Sequence, residues 1–291
     1  MDRKSKVNNK NGINNTDRIK SLAKSEKSIC TIKGTEDSFC IQKRKIKKLI
    51  NSIPNKKNIT TIRDLIDKTG CNSAACLTTE LNLDKKWSRT IRMNTKPQGD
   101  INGNTWLDSG QITHILDNFK TQTNEKFFNM GFGTVDFIKP TCDYKEFNKL
   151  KNVTLNELIK NGYSTAGAVI NTDECNGRGI HWFVVFIDLR NEDEIRLEYY
   201  NSVNSEMPVN ICEFFKKLRS EYEKSNTKIR PVKICSMLPR NHQKENSECG
   251  VYSLYYIRSR LDGISGDDII KSELSDDVVH EFRSVIFAPK D

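Results

Sequence analysis

Two spacings of apolar residues divide this chain. From Ser38, the residues Phe39, Ile46, Leu49, Ile50 and Ile53 fall at helical intervals, and Pro54 closes the run. Ile62, Leu65 and Ile66 predict a second helix over Thr60 to Lys68, stopped by Gly70, and Leu77, Leu81 and Leu83 suggest a third short one. The stretch from Met93 to Asn104 holds Pro97, Gly99 and Gly103 with almost no large apolar residue, as expected of a linker. Beyond it, Ile112, Ile115, Leu116 and Phe119 return to helical spacing, with Asp108 or Ser109 as the expected cap.

The pattern then changes to that of a sheet. Ala168, Val169 and Ile170 predict a short strand, followed by a polar loop with Asp173, Glu174, Gly177 and Gly179. His181 to Leu189 is a nearly continuous apolar run rich in β-branched and aromatic residues, fit for a buried central strand. After a turn at Arg190 to Asp193, Ile195, Leu197 and Tyr199 alternate with polar residues up to Asn201. Helices are expected over 209–223, 249–261 and 267–285, the last capped by Asp267. Helices around a few strands make the fold class α+β.

Charge sharpens the division. The 291 residues carry a net charge of +9, yet residues 1–100 hold 23 basic and 10 acidic side chains, so the remainder is mildly acidic. Residues 1–28, rich in Asn, Lys and Ser and poor in apolar side chains, read as a disordered basic tail. Residues 29–95 read as a helical arm and 96–291 as the main body. The longest apolar run, Trp182 to Ile187, is far too short to cross a bilayer, and no signal segment opens the chain, so secretion is not expected. Nine cysteines without a Cys-x-x-Cys pair read as free thiols, and with no histidine near Cys71 and Cys76 no metal set is assigned.

One cysteine stands apart. Cys249 precedes Gly250 and a strong helical run, and the preceding segment from Asn241 to Glu248 is wholly polar. The first turn of a helix offers unsatisfied amides and a favourable dipole, both of which stabilise a thiolate. The alternative is an ordinary cysteine at a helix start. A base is also needed, and His181 lies at the start of the most apolar strand, where a rigid sheet would hold an imidazole at its rim. A turn centred on Asn191 would pair His181 with Asn201, Phe183 with Tyr199, Val185 with Leu197 and Ile187 with Ile195. Asn201 would then share a face with His181 and fix its tautomer.

The order His181-Trp182, Asn201, Gln243, Cys249-Gly250 resembles that of the ubiquitin-like-protein-specific (SUMO) protease, or adenain-like, clan, and Trp106-Leu107-Asp108 resembles the segment that opens such domains. The resemblance is closer to the asfarvirus-type polyprotein-processing cysteine proteases of large DNA viruses. It rests on Glu198-Tyr199-Tyr200-Asn201-Ser202, His242-Gln243, Glu248-Cys249-Gly250, Tyr256-Ile257-Arg258 and Arg260-Leu261-Asp262, and it includes Cys71-Asn72-Ser73 to Cys76 in the arm.

This resemblance implies a central mixed sheet flanked by helices, a helical arm, and cleavage of viral structural polyproteins after Gly-Gly during virion maturation, without a cofactor. Cys249 would be the nucleophile, His181 the base and then acid, and Asn201 the orienting residue. Gln243, or alternatively Asn246, would supply an oxyanion donor beside the Cys249 amide. Trp182 and Trp106 would narrow a tunnel that only glycines can thread, core packing being the simpler reading of each. The expected partner is a viral polyprotein, met in the virion and at assembly sites in the host cytoplasm. Two other functions stay open: deconjugation of SUMO or ubiquitin-like proteins, and a basic nucleic-acid-binding or scaffold role using the face of Lys43, Arg44, Lys45, Lys47 and Lys48.

Overall fold

The computed structural model describes residues 13–30, 50–51, 53, 59–60, 62–70, 80–81, 96–97, 99–122, 126–225, 230–240 and 242–287. Five strands form one mixed sheet in the order of the chain: β1 (Phe127–Thr134), β2 (Thr165–Asn171), β3 (Trp182–Asp188), β4 (Ile195–Tyr200) and β5 (Val232–Met237). The outer pairs β1/β2 and β4/β5 run parallel, whereas β2/β3 and β3/β4 are antiparallel. Every residue of β2 is buried, and all of β3 up to Ile187, because helices cover both faces.

The described helices are α1 (Asn15–Cys30), α2 (Ile62–Thr69), α3 (Ser109–Gln122), α4 (Asn148–Lys151), α5 (Leu155–Lys160), α6 (Val209–Ser225), α7 (Cys249–Leu261), α8 (Gly266–Lys271), α9 (Asp276–Glu281) and α10 (Arg283–Ile286). On one sheet face Ala168, Ile170, Phe183, Val185, Leu197 and Tyr199 form a core with Phe214, Phe215 and Leu218 of α6 and Leu155 and Leu158 of α5. On the other, Val169, Val184, Phe186 and Tyr200 meet α7, which α3 and the C-terminal helices cover from outside. All 13 residues of α7 are buried, which is how a helix enclosed on every side differs from an amphipathic surface helix.

Four expectations need correction. The hairpin register is displaced by two: Val185 pairs with Tyr199 and Ile187 with Leu197, centring the turn on Glu192. Leu189 bonds to Ser164 and Asn191 closes a local turn onto the Asp193 amide, which lengthens the connection. An even displacement keeps each side chain on its face, so the predicted neighbourhood of His181 survives. The expected helix over 267–285 is instead three short helices. Ser265, not Asp267, caps the first by accepting from the Asp268 amide, and Ser275 caps the next through the Val278 amide. Strands β1 and β5 and helices α4 and α5 add to the elements expected from the apolar pattern.

The fourth correction is at the N-terminus, where residues 15–28 belong to helix α1 rather than a disordered tail. Ile19 and Leu22 are buried against the body. The Arg18 guanidinium lies 5.0 Å from the Tyr255 ring centroid and donates to Ser259 Oγ at 2.8 Å and Asp262 Oδ2 at 2.5 Å. Asn15 donates to Ser272 Oγ at 3.0 Å and accepts from the Tyr255 hydroxyl at 2.7 Å. Few apolar residues suffice here because the body supplies the other half of the contact. The helix expected from Ser38, the Leu77 to Leu83 cluster, the Cys71 to Cys76 segment and the Lys43 to Lys48 face lie mostly or wholly outside the described residues; α2 matches the helix expected over Thr60 to Lys68 to within two residues at its start.

Candidate active site

Helix α7 begins at Cys249, after a polar segment that cannot continue the helix backward. The backbone N–H groups near its sulfur that favour the thiolate are those of Trp182, Gly250 and Cys249 itself. Two of these are first-turn amides with no carbonyl partner inside the helix, so they are free to face a sulfur. Burial pushes the Cys249 thiol up, the three amides pull it down, and the Glu248 carboxylate beside it pushes it up again, with a raised value the outcome.

The helix that opens at Cys249 packs on β3, and the residue before Trp182, at the head of that strand, is His181. His181 Nε2 lies 2.8 Å from Asn201 Oδ1, which also accepts the Val203 amide at 3.2 Å. An atom accepting a backbone N–H must be the oxygen of that amide group, so the imidazole carries its proton on Nε2 and leaves the Nδ1 lone pair free for base chemistry. Asn201 in turn donates through Nδ2 to the Tyr199 hydroxyl at 2.9 Å, and that hydroxyl donates to the carbonyls of Ser205 and Glu206. Burial lowers the His181 pKa and the Asn201 bond acts against it. Burial therefore favours the neutral form of both thiol and imidazole.

The other expected residues are distributed around this pair. Gln243 Oε1 accepts from Ser202 Oγ at 2.6 Å and its amide nitrogen donates to the Glu245 carbonyl at 2.6 Å, so its donor is turned toward its own loop. Asn246 is exposed on the same loop. Trp182 is buried and donates Nε1–H to the Leu107 carbonyl at 3.0 Å. Trp106 is 53% exposed, which excludes the core-packing reading for it but not for Trp182. Both tryptophans line a cleft of about 1140 Å³ that runs between Asp108, Gly131 and Gly179. Cys249 itself is 2% exposed and does not line that cleft, and Leu107 packs over the neighbouring Gly250, where an added Cβ would lie 3.1 Å from its side chain.

Four contributors lie beyond what the sequence pattern marks. Tyr199 alternates as an ordinary strand residue, yet its hydroxyl orients Asn201. Ser202 holds Gln243. Glu248, buried at the N-cap of α7, is gripped by both of its oxygens at 3.0 Å by Arg283 Nε, and Arg283 Nη2 donates to the Thr105 carbonyl beside Trp106 at 2.7 Å. Apart from Tyr199 and Asn201, no local spacing carries these pairings: Ser202 and Gln243 are 41 residues apart, Glu248 and Arg283 35, and Thr105 and Arg283 178.

A family model described as the Ulp1 protease family, C-terminal catalytic domain, matches residues 135–290. A SUMO-1 cysteine protease of African swine fever virus (isolate Pig/Kenya/KEN-50/1950) is 28% identical over 279 residues, covering 90% of this chain and 96% of that protein. A putative thiol protease of Acanthamoeba polyphaga mimivirus is 26% identical over 194 residues, 66% of this chain and 60% of its own length. A crystal structure of the African swine fever virus protease superposes with a TM-score of 0.62 at 26% identity, covering 89% of this chain and 94% of the other. The matched segment carries His181, Asn201, Gln243 and Cys249 together and spans more than half of the sequence: the chain belongs to the Ulp1 protease family and is a cysteine protease.

Proposed function

We propose that this protease cleaves a viral structural polyprotein on the carboxyl side of Gly-Gly during virion maturation, in the particle and at assembly sites in the host cytoplasm. The observation that supports the catalytic assignment is that His181 Nε2 is held by Asn201 Oδ1 at 2.8 Å at the head of β3, the strand that packs against the helix opening at Cys249. His181 Nδ1 takes the Cys249 proton as the sulfur attacks the scissile carbonyl, and the imidazolium returns it to the leaving amine. Water then hydrolyses the thioester with His181 again as base. Asn201 keeps the tautomer without adding a charge. The Cys249 amide at the helix start is positioned for the oxyanion; Gln243 joins it after its amide turns away from Glu245, and exposed Asn246 is the alternative donor.

Gly-Gly selectivity follows from the walls. Exposed Trp106 and buried Trp182 line the cleft and Leu107 packs against Gly250 beside the buried sulfur, so a backbone without Cβ atoms is the substrate we expect to pass. The African swine fever virus relatives support the viral setting, and the SUMO-1 in their name supports the competing substrate, a ubiquitin-like protein conjugate. Purified full chain is expected to cleave a Gly-Gly-Xaa polyprotein peptide faster than a SUMO-linked reporter, with Cys249→Ser lowering either rate by at least about 10⁴-fold. Preference for the reporter would overturn the polyprotein assignment, and activity surviving Cys249→Ser would overturn the nucleophile.

A further inference from the structure

Away from Cys249, a second group of chemically competent side chains joins two loops. Asp136 and Cys142 lie in the segment after β1 and are buried, at 3% and 0% exposure; Cys175 lies in the β2–β3 loop and is half-buried. One ligand atom from each falls within 4.8 Å of the other two. Cys142 Sγ is 3.7 Å from Asp136 Oδ1. A tetrahedral zinc ion with ordinary bond lengths to sulfur and oxygen has an S···O edge of about 3.5 Å, so this edge is already nearly formed.

The surroundings are those of a supported site. The Asp136 carboxylate is oriented by the Cys175 amide at 2.9 Å and by the Thr134 hydroxyl at 2.9 Å, which also lies 3.6 Å from Cys142 Sγ. Lys139 Nζ sits 4.0 Å from the other carboxylate oxygen and 3.0 Å from Glu174. Two thiolates and a carboxylate around a divalent ion leave one net negative charge, which this lysine offsets. Cys175 lines the cleft that passes Trp106 and Trp182, so water reaches the fourth position. Two thiols and one carboxylate favour a thiophilic ion of zinc type over the hard cations.

We propose that Asp136, Cys142 and Cys175 bind one zinc ion, with water as the fourth ligand, and that the ion pins the 135–142 segment to the loop ending at His181. Binding exchanges two thiol protons for two sulfur–zinc bonds, with no change of oxidation state. The metal supports the fold of these loops and takes no part in peptide hydrolysis.

The test is metal content of the full chain purified without chelator. About one zinc per chain is expected by elemental analysis, falling at least about tenfold in Cys142→Ser and in Cys175→Ser while Cys249→Ser and Cys71→Ser keep it. Cobalt substitution should give thiolate-to-metal charge-transfer absorption in the unmodified chain and none in the first two variants. The half-buried Cys175→Ser variant, checked by circular dichroism, keeps the test valid if Cys142→Ser does not fold. Zinc that survives both substitutions, a chain that takes up neither zinc nor cobalt, or a native Cys142–Cys175 disulfide in the peptide map would each overturn the proposal.

Discussion

The two ends of α7 each carry a buried carboxylate–guanidinium pair, and the pairs solve different problems. At the C-terminal end, Arg260 donates to Glu198 Oε2 and Oε1 at 2.8 and 3.0 Å and also meets Asp188, which Arg190 grips with two bonds of 2.8 Å. Tyr256 and Arg196 complete the shell of Glu198. The cation here lies where the helix dipole favours it, so the arrangement locks α7 onto β3 and β4. At the N-terminal end the favoured charge is negative, and two groups compete for that place: the Glu248 carboxylate and the incipient thiolate of Cys249. Arg283 holds the first and offsets part of its charge, and the remaining Glu248 charge still opposes the second. The far pair serves the fold, and the near pair serves the fold and, with Cys249 as the proposed nucleophile, the chemistry as well.

The largest expected effect is on the fold. Arg260→Met leaves Glu198 and Asp188 buried without their shared partner and should cost about 3–5 kcal/mol in urea unfolding, while the kcat of folded molecules stays near that of the parent. If kcat fell as far as stability, the two ends would not be separable. A pH effect of nearly that size is expected from His242, which packs between β4 and α7. It accepts from the Tyr200 hydroxyl at 3.1 Å, donates to the Ser272 carbonyl at 3.2 Å, and burial lowers its pKa from 6.5 to about 4. Below pH 6.5 the unfolded chain takes up a proton that the folded chain refuses, so this contribution is full at neutral pH. Its loss between pH 6.5 and 4 amounts to about 3 kcal/mol, and His181, lowered in the same direction, adds to the slope. His242→Gln should flatten the dependence of stability on pH over that window.

Smaller effects separate the near end from the far one. Glu248→Gln keeps the hydrogen bond to Arg283 and should cost about 1–3 kcal/mol. By removing a negative charge beside the sulfur it should also move the alkylation profile of Cys249 to lower pH, a shift that Arg260→Met does not produce. Asn201→Asp places a carboxylate against His181 and favours its imidazolium form, so the acidic limb of kcat/KM should move to higher pH. An unmoved limb would mean that His181 is not the base. The smallest effect is at the surface: Arg18→Ala removes a partly exposed pair with Asp262 and should cost about 1 kcal/mol or less, with no change in either pH profile.

Much of the site is legible in the sequence because its parts announce themselves locally. A polar run ending in Cys249-Gly250 and then an apolar helix offers a place for a nucleophile, with an ordinary helix-start cysteine as the alternative; His181 at the head of a continuous apolar strand offers a base, and it is the resemblance to the protease family that selects the two. The meeting of His181 with Asn201 survives a register error of two because face parity depends only on odd or even spacing. Other parts have no local signature. Strand β1 reads Phe-Phe-Asn-Met-Gly-Phe-Gly-Thr, with two glycines and no clean alternation, and β5 is an edge strand whose middle residues are partly exposed. Helix α1 is invisible for a different reason: its stability comes from partners on α7 and the α8–α9 turn, which no window along the N-terminus contains.

That seat has a consequence for the order of events during synthesis. Arg18 reaches Ser259 across 241 positions and Asp262 across 244, so helix α1 finds its place only after α7 has emerged from the ribosome. Contacts of such long range close late, after the loop entropy between their ends has been overcome. Helix α1 therefore behaves as a closing latch: its absence should accelerate unfolding far more than it slows refolding, and the finished enzyme should owe its lifetime in part to the segment that waited longest.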